Sequence, residues 1–167
     1  MINRDKSIEL LNRAVNDELA AVHQYMYFHF RLNDMGYDLL STYFKRTAIQ
    51  EMMHVERLAE RILFLKGEVE MKPSHPVDKI HDVRQMLVKA EKMEMQAIID
   101  YNNFARQTAE ALDSATKKLF EDLILEEEAH QDQFDTEASN LETYGDNYLA
   151  LQSIEHAKKT SVNTTTM

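Results

Sequence analysis

Two Glu-x-x-His units occur in this 167-residue chain, and a lone glutamate stands 33 residues before each of them. Glu18 precedes Glu51 and His54, and Glu94 precedes Glu127 and His130. Every member of the second set lies 76 residues after its counterpart in the first. Residues three apart share one face of a helix, so each Glu-x-x-His pair can reach one metal ion together. Glu18 and Glu94, on partner helices, can then each close one end. Four carboxylates and two imidazoles so arranged are the ligand list of a dinuclear iron or manganese site in a four-helix bundle. One Glu-x-x-His alone reads most simply as a solvated helix face; two, with matched glutamates at a common offset, do not.

The elements that carry these residues are amphipathic helices. Leu11, Val15, Glu18, Val22 and Tyr25 recur at helical spacing, as do Ala48, Glu51, Val55, Leu58 and Ile62. The same holds for Leu87, Ala90, Glu94, Ala97 and Tyr101, and for Phe120, Leu123, Glu127, His130 and Phe134. All four glutamates therefore fall on stripes that a bundle would bury. An isolated buried carboxylate costs many kcal/mol, so it must be paired or bind a cation, and no Lys or Arg stands at a matching stripe position. Four carboxylates and two neutral imidazoles balance two divalent cations. Oxygen-rich ligation with one His per metal suits iron or manganese better than zinc. Tyr25 and Tyr101 each lie two turns beyond a glutamate and can hydrogen-bond the carboxylates.

Composition agrees. Only three glycines and two prolines punctuate the chain, which places it in the all-α class as a single domain, 1–167. The net charge of −10 argues against nucleic acid as a partner. Cysteine is absent, which excludes disulfides, thiolate metal sites and a rubredoxin-type iron site. No run of apolar residues is long enough for a membrane span and no signal segment opens the chain, so a cytoplasmic protein is expected.

Helix boundaries follow from local signals. The first helix is expected from near Asp5 to Met35, stopped by Gly36, with Asp38 capping the second and Gly67 closing it. Residues 68–79 hold Pro73 and Pro76 and form the one long connection, a crossover between helices 2 and 3. Asp82, with Gln85 three residues on, caps the third helix, Asp113 caps the fourth and Gly145 ends it. A short fifth helix runs from about Asn147 to Lys158, and 160–167 is expected to fray. Met26, Phe28 and Leu149 lie beyond the bundle stripes and call for partners outside the bundle.

The stretches NDELAAVHQY around Glu18, EMMHVERLAERILFLKG around Glu51 and His54, and LEEEAHQDQF around Glu127 and His130 resemble bacterioferritin, in the ferritin-like superfamily. The resemblance covers nearly the whole chain, to the NYL at Asn147. It implies a ferritin-like four-helix bundle with a short fifth C-terminal helix and a ferroxidase centre holding two iron ions per subunit. Glu51 and Glu127 match the bridging carboxylates, Glu18 and Glu94 the terminal ones, and His54 and His130 the nitrogen ligands. The implied reaction is oxidation of Fe(II) by O₂ or H₂O₂, with Tyr25 beside the centre. Ferric mineral would be stored in a hollow 24-subunit homo-oligomer, with a ferredoxin-type electron donor for iron release. Met52 matches the methionine that binds haem b at the subunit two-fold axis; the competing reading is an interface-filling thioether, since the chain has ten methionines and Met53 is adjacent. The chain departs from familiar members in having Arg46 and Gln50 where some carry His and Asp, and Gln133 where many carry Trp. His23, His29, His75, His81 and His156 have no matched partner and read as surface or interface residues.

Two rival functions share this ligand list: a di-iron peroxide reductase of rubrerythrin type or a manganese catalase, and a non-catalytic metal-buffering bundle. Rubrerythrin-like enzymes usually add a further glutamate and an iron–sulfur module, and the cysteine-free chain lacks the latter. Stoichiometric O₂ uptake on Fe(II) addition separates ferroxidase from buffer.

Overall fold

Apolar residues at helical spacing, with polar residues between them, build four long helices, α1 (Arg4–Asp34), α2 (Asp38–Phe64), α3 (Val83–Glu110) and α4 (Ser114–Tyr144). A fifth, α5 (Asp146–Thr164), follows. These elements are those of a computed structural model that describes residues 3–164. No strand occurs among the described residues. No helix there is long and apolar enough to cross a membrane.

α1 packs antiparallel to α2, and α3 to α4, each pair joined by a tight turn. Residues 65–82 then run the length of α1. Two buried amides of α1 hold this crossover. Asn12 donates to the Glu68 carbonyl at 2.9 Å and accepts from the Glu70 N–H at 2.8 Å. Gln24 donates to the Asp78 carbonyl at 3.0 Å and accepts from the Asp78 N–H at 2.8 Å. By carrying the chain to the far end of α1, the crossover sets α3 antiparallel to it.

The caps follow the expected chemistry at Asp82, which accepts from the Gln85 N–H at 2.8 Å, and at Asp113, which accepts from the Thr116 N–H at 3.1 Å. Two expectations are corrected. Tyr37, without a side-chain cap bond, occupies the N-cap of α2, and Asp38 is the first helical residue. The left-handed residue that closes α2 is Lys66, with φ 68°, while Gly67 follows it and donates to the Ile62 carbonyl at 3.0 Å. Gly67 is required for space instead: a Cβ there would lie 2.8 Å from Ile8.

Phe28 was expected to need a partner outside the bundle, but it is fully buried in the chain's own core. Met26 and Leu149 pack, partly buried, against the same cluster. The helix α5 docks on the bundle, where Gln152 accepts from the Leu40 N–H at 3.2 Å and Tyr148 donates to Glu137. It continues past Lys158 to Thr164, into the stretch expected to fray; residues 165–167 lie outside the described residues.

The core is divided in two. One cluster includes Leu11, Val15, Leu58, Phe104 and Phe120; the other includes Phe28, Leu32, Phe44, Leu87 and Phe134. Tyr101 belongs to the first cluster and Tyr25 to the second. A buried polar layer is left between them.

Candidate metal centre

That polar layer is made of the six residues singled out by spacing. Glu18, Glu51, His54, Glu94 and Glu127 are at most 4% exposed, and His130 is 5% exposed. Each helix supplies what its stripe places at mid-length: Glu18 from α1, Glu51 and His54 from α2, Glu94 from α3, Glu127 and His130 from α4. Their ligand atoms form two overlapping groups, Glu18–Glu51–His54–Glu127 and Glu51–Glu94–Glu127–His130, each with all atoms within 4.8 Å of one another. Glu51 and Glu127 belong to both groups, as bridging carboxylates must.

The contacts converge without closing. His54 Nδ1 lies 2.9 Å from Glu51 Oε2, 2.9 Å from Glu127 Oε1 and 3.3 Å from Glu18 Oε1. None of these approaches has hydrogen-bond geometry, and both Glu51 oxygens, Glu127 Oε1 and His54 Nδ1 are buried without a hydrogen-bond partner. One ring nitrogen carries at most one proton and cannot satisfy three carboxylates. Lone pairs aimed at a shared centre are what a cation requires, so these residues fit a pair of metal ions. His130 Nδ1 is set among carboxylates in the same way, 3.0 Å from Glu51 Oε1 and 3.7 Å from Glu94 Oε2, but it does hydrogen-bond Glu127 Oε2 at 3.2 Å.

Electrostatics report the same crowding. Burial and the neighbouring carboxylates push Glu51 up to about 7 and Glu94 up to about 8. Burial and the Glu51 charge raise Glu127 as well. Burial works to raise Glu18 too, but the close approach and charge of His54 and the hydrogen bond from Tyr101 bring it below the ordinary carboxylate value. Burial would depress both imidazoles, yet the carboxylates around them win and hold His54 and His130 protonated far above the usual range. Metal ions would displace those protons, which couples affinity to pH.

Both tyrosines reach the carboxylates, with crossed pairing. Tyr25 on α1 donates to Glu94 on α3, and Tyr101 on α3 donates to Glu18 on α1 at 2.5 Å. Burial, then the carboxylate charges, raise both phenols well above their usual range, so they stay donors. Tyr25 packs on Phe44 and Phe134, and Tyr101 on Phe104 and Phe120.

The sequence reading missed Glu126 and Arg57. Glu126 Oε2 accepts from His54 Nε2 at 3.0 Å, and Arg57 Nη1 donates to Glu126 Oε1 at 2.5 Å. Burial opposes the charge of Glu126, but Arg57 and His54 outweigh it and keep the carboxylate ionised. Neither residue lies on an apolar stripe, so periodicity carried no signal for them. On the opposite side, a cavity of about 300 Å³ between α1 and α3 reaches Glu18, Glu51, Glu94 and Glu127, with Asp17 and Asp100 at its wall.

The residues outside this cluster separate as follows. Met52 is 52% exposed on α2, beside Met53 at 47% and Ile49 at 47%. Arg46 and Gln50 are exposed on the same helix, and Gln133 accepts from Arg46 at 3.0 Å. His23 is exposed, His81 bonds Tyr27 at 3.1 Å and His29 bonds Ser41, while the exposed His75 lines the cavity that reaches Glu18, Glu51, Glu94 and Glu127. The His156 side chain lies outside the described residues.

Known proteins place the arrangement in context. The family profile of the ferritin-like domain matches residues 8–144. A bacterioferritin of Desulfovibrio desulfuricans is 39% identical over 87% of this chain and 81% of its own length. One from Brucella melitensis is 34% identical over 87% of this chain and 91% of its own. Among solved structures, the D. desulfuricans bacterioferritin, described with a diiron site, superposes with a TM-score of 0.88 at 37% identity, covering 90% of this chain and 88% of that one. The Rhodobacter capsulatus bacterioferritin, described with a metal-free dinuclear site and haem iron, gives 0.86 at 30% identity, covering 91% of this chain and 96% of that one. Fold, ligand pattern and relatives agree across nearly the full length, and the chain belongs to the bacterioferritins of the ferritin-like family.

Proposed function

We propose that this protein stores iron by oxidising Fe(II) at the six-residue centre and holding the ferric product inside a hollow shell of 24 copies. The observation that carries this is the convergence of four buried carboxylates and two imidazoles, in which both Glu51 oxygens, Glu127 Oε1 and His54 Nδ1 have no hydrogen-bond partner. Fe(II) is the substrate. Two Fe(II) give up one electron each; together these reduce O₂ to H₂O₂ with two protons, or H₂O₂ to two waters with two more. The metal pair supplies the redox chemistry. Glu51 and Glu127 would bridge the two ions, Glu18 with His54 and Glu94 with His130 would complete one ion each, and the anionic cage favours the ferric state. Tyr25 and Tyr101 hold the terminal carboxylates in place by donating to them. The cavity between α1 and α3 is the path by which Fe(II) and oxidant reach the carboxylates.

In this reading Met52 supplies a haem-iron ligand at the interface with a second copy. Its exposure beside Ile49 and Met53 offers an apolar wall for a macrocycle shared by two chains. The haem would carry electrons toward the stored mineral from a ferredoxin-type donor. A supply of Fe(II) belongs to a reducing compartment, so we place the protein in the cytoplasm.

Three measurements test the proposal. Rapid Fe(II) oxidation, followed by O₂ uptake, should be lost in Glu127→Ala with helicity kept; an unchanged initial rate refutes the centre. Expression with haem supplied should give a Soret band that Met52→Leu removes; a band unchanged in the variant leaves Met52 an interface methionine. Light scattering should report a large closed assembly, and a monomer would overturn the shell.

A further inference from the structure

The duplication that produced the ligands extends well beyond them. At the same offset of 76 stand Leu11 and Leu87, Ala14 and Ala90, Ala21 and Ala97, Tyr25 and Tyr101, Phe28 and Phe104, and Phe44 and Phe120. The two halves of the centre are therefore related position by position through the core. The relation breaks just outside the imidazoles. Glu126, which receives His54 Nε2, has Gln50 as its counterpart, and Arg57, which holds Glu126, has Gln133. Gln50 is exposed, and no described residue hydrogen-bonds His130 Nε2. Gln133 is engaged instead by Arg46 at 3.0 Å.

We infer that the two halves of the centre bind metal unequally, with Glu126 and Arg57 acting as positioning residues for the His54 half alone. This rests on the dinuclear reading proposed above. The physical reason is specific. A metal-binding imidazole that donates its other N–H to a carboxylate has a fixed tautomer and orientation and is a stronger base toward the metal. His54 has that carboxylate, and Arg57 prevents the carboxylate from swinging into solvent. His130 Nε2 has no such carboxylate bond among the described residues. Its ring is not oriented from outside and gains no basicity there. The half built from Glu18, Glu51, His54 and Glu127 should fill first and empty last. The half built from Glu94, Glu51, Glu127 and His130 should be the exchanging one.

Glu126 is 45% exposed in its side chain and Gln50 is exposed, so neither substitution disturbs the core. Co(II) is the probe, titrated into the assembled protein and read by its ligand-field absorption and by calorimetry. The unmodified chain should take up two Co(II) in two steps, the first about 10- to 100-fold tighter, the range that such outer carboxylates command. Glu126→Gln should weaken the first step by that factor and bring the two together. Gln50→Glu should tighten the second. Assignment to a half comes from removing a terminal ligand. Glu94→Ala leaves the His54 half and Glu18→Ala the His130 half, and Glu126→Gln should weaken Co(II) only in the former. Equal affinities of the two isolated halves, or equal weakening of both by Glu126→Gln, overturn the inference while leaving the dinuclear centre standing. If the unmodified chain takes up no Co(II), the dinuclear reading itself fails, and this inference with it.

Discussion

Replacing Glu51 by Gln should stabilise the metal-free protein and destabilise the metal-loaded one. The side chain is 1% exposed, and in the metal-free chain neither oxygen has a hydrogen-bond partner. Burial, followed by the Glu94 and Glu18 charges, raises its pKa from 4.5 to about 7. At about 1.4 kcal/mol per pH unit, the ionised carboxylate then destabilises the fold by about 3 kcal/mol at pH 8. Gln has the shape of the protonated acid and carries no charge, so about 3 kcal/mol is the upper figure for the gain. The gain should shrink toward nothing below about pH 4.5, where Glu51 becomes protonated in both folded and unfolded chains. Metal reverses the order. A ligand bound only by the folded state adds about 4 kcal/mol at a thousandfold excess over its dissociation constant, and the variant has lost a carboxylate that, in the proposed centre, both ions share. Denaturant unfolding of both proteins at one concentration, at pH 5.5 and 8, with and without Co(II), gives the four comparisons needed. A metal-free variant less stable than the parent at pH 8 would refute the argument that the carboxylates repel one another. Equal stabilisation of both proteins by Co(II) would refute the bridging role.

The same groups set the pH dependence of the unmodified chain without metal. Glu51 and Glu94 bind protons more tightly folded than unfolded, so stability should fall as pH rises from about 4.5 through about 7 and 8; His54 and His130, also raised, add in the same sense above about 6.5. A melting temperature that rises over that window would contradict this. Tyr25→Phe and Tyr101→Phe should each cost about 1–3 kcal/mol, since each leaves a buried carboxylate short of one donor; a large effect confined to Tyr25 would deny the crossed pairing. Asp113→Ala should cost about 3 kcal/mol in unfolding experiments, because it removes the α4 cap and the carboxylate bonded to Arg61 at 2.6 Å, leaving that guanidinium only the Thr116 hydroxyl; a loss below about 1 kcal/mol would mean that the Thr116 hydroxyl and solvent suffice for Arg61.

The buried cluster of four glutamates and two histidines was legible in the sequence because burial and charge conflict in a way that one-dimensional spacing records. A glutamate on an apolar stripe is anomalous, and four of them at two common offsets have one economical explanation. The caps Asp82 and Asp113 were legible for a similar local reason, since a short acceptor side chain precedes a periodic run. Where tertiary packing decides, local signals failed. Gly67 looked like a helix stop, yet Lys66 takes the left-handed position and Gly67 is needed by Ile8. Phe28 looked peripheral on α1, yet the antiparallel partners fold a second core cluster around it.

The tyrosines and Glu126 show the limit most clearly. Tyr25 shares a stripe with Glu18, but the stripe does not say which carboxylate the phenol reaches. Seven residues of helix carry Tyr25 about 10 Å along the axis, past its own glutamate to the half closed by Glu94. That pairing depends on α3 running antiparallel to α1, which the crossover imposes and the stripe does not encode. Glu126 is a charged residue on an exposed stripe, and by itself reads as a solvated face. It becomes informative only once structure puts it against His54 Nε2 and the duplication offers Gln50 for comparison. In a duplicated site the matched positions report what both metals need. The mismatched ones, 50 against 126 and 57 against 133, are where the two metals can be told apart, and function that depends on one ion staying while the other exchanges has to be built there.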